Sequence, residues 1–396
     1  MNFSRRDFGK LALRGIPLAV AMASGERLLG ASESGSQAAQ ASAILNRRGA
    51  GCVDGDFSSQ FAGVQIGSIV FYSYRQMPGL DVRSLLSYLT ENGINACELE
   101  CASAEEFAGA PPAAYSMLSM MRSLSPQAGQ KGGGTANPSQ MSPAQRAAIQ
   151  SWMKKSQDAL PEINKWRTSV PMTKFEEIRR MYADQGVRIY AYKLEPVYDS
   201  FPDSVFEYAF NVAKALGADQ VTMEIPGTGS LASMMGQAKF KLDSALTARI
   251  GRLAAKYKVM AAYHAHLEAS PTLWNVPMAQ SEYNGINLDV GHYVAAGNHD
   301  VVEFIRKNHA RIGSLHLKDR CYPDHNHGSN EVWGQGDTPL KEILQLMRDQ
   351  HYKFPASVEL EYDIPQGSNP VIESGRCVAW AKNILLSNGP NIAATA

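Results

Sequence analysis

The chain has 396 residues, 44% of them apolar and 19% charged, a globular composition with enough length to bury a substantial core. Lysine plus arginine equal aspartate plus glutamate at 38 each, and a net charge of zero argues against a nucleic-acid partner, which leaves a basic footprint. No apolar run reaches the roughly 20 residues that a membrane-spanning helix needs.

In chain order, the first feature is Ser4-Arg5-Arg6-Asp7-Phe8-Gly9-Lys10, followed by the weakly apolar stretch Leu11 to Ser24. It matches every defined position of Ser/Thr-Arg-Arg-x-Phe-x-Lys and so resembles a twin-arginine export signal. The expectation is a signal peptide over residues 1–31 and a periplasmic or otherwise exported protein, with no membrane anchor after cleavage. Residues 32–60, rich in Ala, Ser and Gly, read as a linker. The main domain is then expected over 61–390.

Short apolar segments next alternate with amphipathic ones. Strands are expected at Val64–Tyr72, Ala96–Cys101, Val187–Glu195, Gln220–Ile225, Lys258–His266, Gly285–Val290, Ile312–Asp319 and Ser357–Asp363. Helices are expected at Lys174–Asp184, Val205–Leu216, Leu242–Tyr257, Val301–His309, Leu340–Gln350 and Val371–Leu386. Strands alternating with helices predict a closed parallel (β/α)8 TIM barrel of the α/β class. An open doubly wound sheet lacks support, because no Gly-x-Gly-x-x-Gly follows the first strand. A long insertion after strand two, residues 102–171, carries the glycine-rich run Gly129–Asn137 between helical pieces at Ala113–Ser123 and Pro143–Leu160. An insertion after a strand emerges on the catalytic face, where it can form a lid, a solvated excursion or an oligomer contact. Five scattered cysteines show neither metal-type pairing nor a disulfide framework.

Ligands and catalytic groups of a barrel sit at the C-terminal ends of its strands. From strand four to strand eight those ends carry Glu224, His264, His266, Asp289, His292, His316, Lys318, Asp319, Glu359, Glu361 and Asp363. Alternation puts His264 with His266, His316 with Lys318, and Glu359 with Glu361 on shared faces. Such a mixture of carboxylates and imidazoles suits one divalent metal ion: Mn²⁺, Co²⁺, Mg²⁺ or Zn²⁺. Tyr72, Tyr192, Trp274, Tyr293 and Trp333 are placed near the mouth, where aromatic rings either stack on a sugar or pack.

Tyr263-His264-Ala265-His266, Leu288-Asp289-Val290-Gly291-His292, His316-Leu317-Lys318-Asp319, the Gly334-Gln335-Gly336-Asp337 turn and the ending Glu361-Tyr362-Asp363 resemble the xylose-isomerase-like family. That family comprises sugar phosphate isomerases/epimerases and also contains endonuclease IV. The resemblance implies the metal ligands Asp289, His316 and Glu361, with Glu224 and His264 competing to complete the shell. Family epimerases supply a Glu from strand five, where this chain has His264. His266, His292 and Lys318 are implied as substrate or proton-transfer groups, and Glu224 and Glu361 as further catalytic carboxylates.

The implied reaction is proton abstraction next to a metal-polarised carbonyl of a sugar or keto-sugar, giving isomerisation or epimerisation. Alternatives are a lyase or hydratase acting on 3-keto-glycosides and a non-catalytic sugar-binding barrel. Export favours a free sugar or glycoside over a sugar phosphate as the small-molecule partner, and homo-oligomerisation is left open. An endonuclease IV activity is disfavoured, since the first three strands contain no histidine.

Overall fold

A computed structural model describes residues 57–112, 143–228 and 240–387. The signal-like segment 1–31, most of the linker and residues 113–142 of the insertion lie outside the described residues, as does the helical piece expected at Ala113–Ser123. Eight parallel strands form the centre: β1 (Val64–Ile69), β2 (Ala96–Glu100), β3 (Arg188–Lys193), β4 (Gln220–Glu224), β5 (Met260–His264), β6 (Asn284–Asp289), β7 (Ile312–Leu317) and β8 (Ala356–Val358). Each pairs with its sequence neighbour, and β8 closes the ring on β1 through Ser357 opposite Gly67. The sheet is therefore a closed TIM barrel, with no strand edge left open.

Period-two alternation divides each strand between two environments. On β4, Val221 and Met223 join the continuous apolar core shared with the surrounding helices. Thr222 points the other way and donates to Glu98 Oε1 on β2 at 2.8 Å, while Gln220 Nε2 donates to the Gly313 carbonyl on β7 at 3.1 Å. Contacts between non-adjacent strands can only cross the lumen, so the inside of this barrel is polar. Its lower end is packed tight. A Cβ on Gly67 would lie 2.8 Å from Ser357 Oγ and 3.1 Å from the Tyr190 ring, so nothing larger than glycine fits there.

The helices form for local reasons. Asp81 caps the helix Val82–Asn92 by accepting from the Arg83 and Ser84 amides, and left-handed Gly93 ends it. The helix Leu340–Asp349 buries Leu340, Ile343, Leu344, Leu346 and Met347 on one face, each such apolar side chain contributing about 1.5–3 kcal/mol. Expected strands generally ran past the observed ends. Val70–Tyr74 is a short helix rather than the end of β1, and Glu359–Asp363 lies beyond the last β8 residue. Apolar runs continue past the point where the ladder stops, and sequence does not mark that point.

The described part of the insertion is anchored beside the barrel. Its helix Pro143–Arg167 runs longer than expected and ends in Arg167, whose guanidinium donates to both oxygens of Glu105 at 2.8 and 3.1 Å. The hydroxyls of Tyr192 and Tyr208 donate to the same carboxylate at 3.4 and 3.2 Å. Glu105 lies on the helix Cys101–Phe107, directly after β2.

The loop after β7 is organised by one buried side chain. Asp319 Oδ2 accepts from the amides of Gly334, Gln335 and Gly336 at 2.7, 3.1 and 3.0 Å, and Oδ1 accepts from Thr338 at 3.2 Å. Gly336 has no room for a side chain, since its Cβ would fall 2.4 Å from Asp319 Oδ1. Replacing Asp319 by Ala should destabilise the fold by roughly 2–4 kcal/mol, because buried amides lose a charged acceptor. Urea unfolding checks this, and an unchanged midpoint would remove Asp319 as the organiser of the turn.

Candidate metal centre in the barrel mouth

At the C-terminal ends of β5 to β8, His264, Asp289 and His316 each place one ligand-type atom within 4.8 Å of the others, and all three are buried. Glu359, the residue after β8, brings its Oε2 to 3.1 Å from His316 Nδ1. Asp289 Oδ2, His316 Nδ1 and Glu359 Oε2 are buried without a hydrogen-bond partner. Lys318 Nζ approaches Asp289 Oδ2 to 2.9 Å and Glu359 Oε2 to 3.3 Å. Ion pairing with Lys318 and His316 holds these oxygens, without a well-directed hydrogen bond. Orphaned buried donors and acceptors are rare, and three of them converging here fit a divalent cation.

Each ring and carboxylate is oriented from behind. The Asn287 amide nitrogen donates to Ser314 Oγ at 2.8 Å, which turns its oxygen toward His264 Nδ1, also at 2.8 Å. His264 Nδ1 thus carries the proton and Nε2 keeps its lone pair. Burial holds this ring well below the usual histidine range and outweighs the pull of Glu224 in the other direction. Neutral imidazole is the form that ligates metals. Asp289 Oδ1 caps the short helix Val290–Ala295 by accepting from the His292 amide at 2.7 Å, which leaves Oδ2 for the lumen. His316 Nε2 meets Glu98 Oε2 at 3.0 Å. Burial opposes charge on His316, yet Glu98 and Glu359 outweigh it and push its pKa up to about 10. The His316 ring thus has a carboxylate at each nitrogen, a position where positive charge is electrostatically favoured.

Lys318 organises the next layer. Its ammonium donates to Glu361 Oε2 at 2.6 Å and also lies 3.0 Å from His292 Nε2. On the far side of His292, Arg320 donates to Nδ1 at 2.6 Å. With cations against both nitrogens, and with burial and Lys318 holding its pKa well down, His292 is a poor ligand for a further ion. This favours the Asp289 grouping over the neighbouring trio His264, His266 and His292, which also lies within 4.8 Å.

A second charged network faces the cluster across the mouth. Lys193, at the end of β3, donates to Glu224 Oε1 at 3.1 Å, and His266 Nδ1 lies 3.2 Å from Glu224 Oε2. Burial works against charge on Glu224, but Lys193 and His266 hold its carboxyl well below the usual range. His266 responds in kind: burial lowers its pKa, Glu224 more than compensates, and the ring is pushed up to about 9. Tyr72 donates to Glu195 Oε1 at 2.7 Å beside this pair. Glu224 and His266 are about one-fifth exposed, whereas Lys318 and Asp289 are almost fully enclosed.

The structure thus brings His264, Asp289 and His316 together, with Glu359 beside them. Glu361 is instead held by Lys318 and lies 4.0 Å from Arg75, and both Glu224 oxygens are engaged by Lys193 and His266. The residues that sequence reasoning did not single out are Glu98, Lys193, Glu195, Asn287, Arg75 and Arg320. For Glu98 and Lys193 a signal existed, namely charged side chains within short, almost fully buried strands. Among the aromatic residues placed at the mouth, Trp274, Tyr192 and Tyr293 are fully buried in the apolar core and Trp333 packs on Trp380. Only Tyr72 stands by the charged groups.

Residues 148–379 match the family model described as the xylose isomerase-like TIM barrel. The chain belongs to this family. Among solved structures it is similar to the IolI protein with a bound zinc atom, at 13% identity over 82% of this chain and 100% of that one, with a TM-score of 0.51. It is also similar to a sugar phosphate isomerase/epimerase from Parabacteroides distasonis, at 15% identity over 81% of this chain and 95% of that one, with a TM-score of 0.49. At such identities the likeness speaks for the fold. No curated protein matches the sequence.

Proposed function

We propose that this chain is a divalent-metal-dependent enzyme that removes a proton next to the carbonyl of a sugar or keto-sugar. One observation carries the reading: the unpartnered atoms Asp289 Oδ2, His316 Nδ1 and Glu359 Oε2 converge with His264 where the ends of β5 to β8 meet. These four residues would hold the ion, with Glu359 in place of Glu361, and the mixed nitrogen and oxygen donors suit Mn²⁺, Co²⁺, Mg²⁺ or Zn²⁺. Such an ion, when bound, polarises a carbonyl and acidifies the adjacent C–H. The zinc of the IolI protein supports a metal on this fold.

The chain's own groups supply the proton transfers. Glu224 and His266 are the partly exposed ionisable groups at the mouth: the Glu224 carboxylate is the candidate base, a weak one while Lys193 and His266 hold its pKa down, and His266, charged at neutral pH, is the candidate acid. Lys318, Glu361 and the neutral His292 ring form a fixed polar wall behind the carboxylates. Returning the proton to another face or carbon gives an epimer or isomer, whereas expelling a β-substituent gives elimination. His264 favours elimination or hydration on a 3-keto-glycoside as the second reading, because family epimerases use a carboxylate at that position. The signal-like N-terminus supports action outside the cytoplasm on a free sugar or glycoside.

Chelator-stripped protein, reloaded with each cation, tests this with keto-sugars and 3-keto-glycosides in D₂O. Metal-restored deuterium incorporation next to the carbonyl, or release of the β-substituent, is the expected result. Sugar binding with neither would leave a non-catalytic barrel. The ligand assignment has its own check: Glu359→Gln should lower retained metal at least about tenfold, the effect of losing about 1.4 kcal/mol, while Glu361→Gln should retain it. The reverse pattern in elemental analysis would return the ligand role to Glu361.

A further inference from the structure

We propose that Cys321, His325 and Asp337 form a second metal site, selective for a borderline-soft divalent cation such as Zn²⁺, that staples the loop following β7. The three side chains each offer one ligand atom, all within 4.8 Å of one another, and share no residue with the barrel centre. Three different ligand types meeting at one point, sulfur, imidazole nitrogen and carboxylate oxygen, form a donor set suited to zinc.

The local fold explains why they meet. Asp319–Arg320 pairs antiparallel with Asn330–Glu331, which makes the loop a narrow hairpin with Cys321 at its base. The chain then turns through Asn326 and His327, both with positive φ (47° and 54°). His325, before that turn, folds back until its Nδ1 lies 2.7 Å from Asp337 Oδ2. The Tyr322 amide donates to the same oxygen at 2.8 Å, which fixes the carboxylate. Asp337 belongs to the turn that Asp319 organises, so the cluster ties hairpin tip, hairpin base and turn together. Glu331 Oε1 stands 3.9 Å from Cys321 Sγ, close enough to add negative charge. Cys321 is buried, Asp337 partly so and His325 exposed, which gives a cation a route in from solvent.

Burial and the neighbouring acids push the Cys321 thiol up. Binding therefore releases the thiol proton to solvent as the thiolate takes the metal, together with any proton on the ligating His325 nitrogen. The site also bears on the barrel mouth. Arg320, within the hairpin, donates to Gly328 O at 2.9 Å from Nε and to His292 Nδ1 at 2.6 Å from Nη1. A stapled hairpin would hold that arginine against His292.

The test uses the full chain, stripped of metal and titrated with Co²⁺ alone, followed by near-ultraviolet absorption and metal content. A thiolate-to-cobalt charge-transfer band is expected in the wild type, with two cobalt ions retained. Cys321→Ser should lose the band and one ion, and His325→Ala, at an exposed position that folding tolerates, should weaken binding at this site at least tenfold. No thiolate band in the wild type, an unchanged band in Cys321→Ser, or undiminished binding in His325→Ala would each overturn the proposal. The barrel centre contains no cysteine, so its failure to bind would leave the band untouched and the two assignments separable.

Discussion

Asp289→Asn is expected to strip the barrel centre of its metal and to lower turnover on the proton-abstraction substrate by about three orders of magnitude. On the proposed function, the size follows from losing a Lewis acid that would contribute several kcal/mol at the transition state, each 1.4 kcal/mol being about tenfold. Asparagine keeps an oxygen to accept from the His292 amide, so the cap of Val290–Ala295 survives and the fold should hold. What is lost is the anionic Oδ2, which lies 2.9 Å from Lys318 and has no hydrogen bond. Elemental analysis and steady-state rates, measured beside an unfolding curve, check the expectation. Wild-type metal content and rate in this variant would remove Asp289 from the ligand set.

The largest expected effect on stability lies away from the mouth, at Arg167→Leu. Arg167 and Glu105 are 4% and 0% exposed, and the guanidinium grips both carboxylate oxygens. Removing the arginine leaves a buried carboxylate with only the Tyr192 and Tyr208 hydroxyls for company. Stranding one member of a buried pair costs about 3–5 kcal/mol, a large fraction of the stability of most domains. The double variant Arg167→Leu with Glu105→Leu should recover most of the loss, because no charge is then stranded. Chemical denaturation of the single and double variants decides; equal stability of wild type and Arg167→Leu would show that the pair contributes nothing.

The barrel was legible because short, largely apolar runs recur, those of β2 to β6 ending in a charged residue or a histidine, and the intervening helices carry a 3.6-residue apolar period. The core of the candidate site was legible for the same reason: Asp289 and His316 are the last or next-to-last residues of β6 and β7, and His264 is the last residue of β5. The place of Glu359 beside them was not, since the resemblance implied Glu361. The two glutamates share a face two residues apart, and which one reaches the centre depends on the stagger between β7 and β8, where Val358 lies opposite Leu317. Glu98 was overlooked although it stands at an inward position of β2, because its role appears only when β2 and β7 are seen across the lumen. For most of the mouth aromatics, packing is the role of the two that holds. Tyr192, Trp274 and Tyr293 fall near strand ends in sequence, yet their rings turn outward into the layer between barrel and helices, a direction that the alternation of short segments does not reveal.

Anomalous diffraction at the metal edge, from crystals of chelator-stripped protein reloaded with Mn²⁺ or Zn²⁺, bears most directly on whether the late strands share one cation. A peak is expected in the barrel mouth with His264 Nε2, Asp289 Oδ2, His316 Nδ1 and Glu359 Oε2 at coordination distance, about 2.0–2.3 Å. Reloaded crystals with no peak among those four atoms would contradict a shared cation.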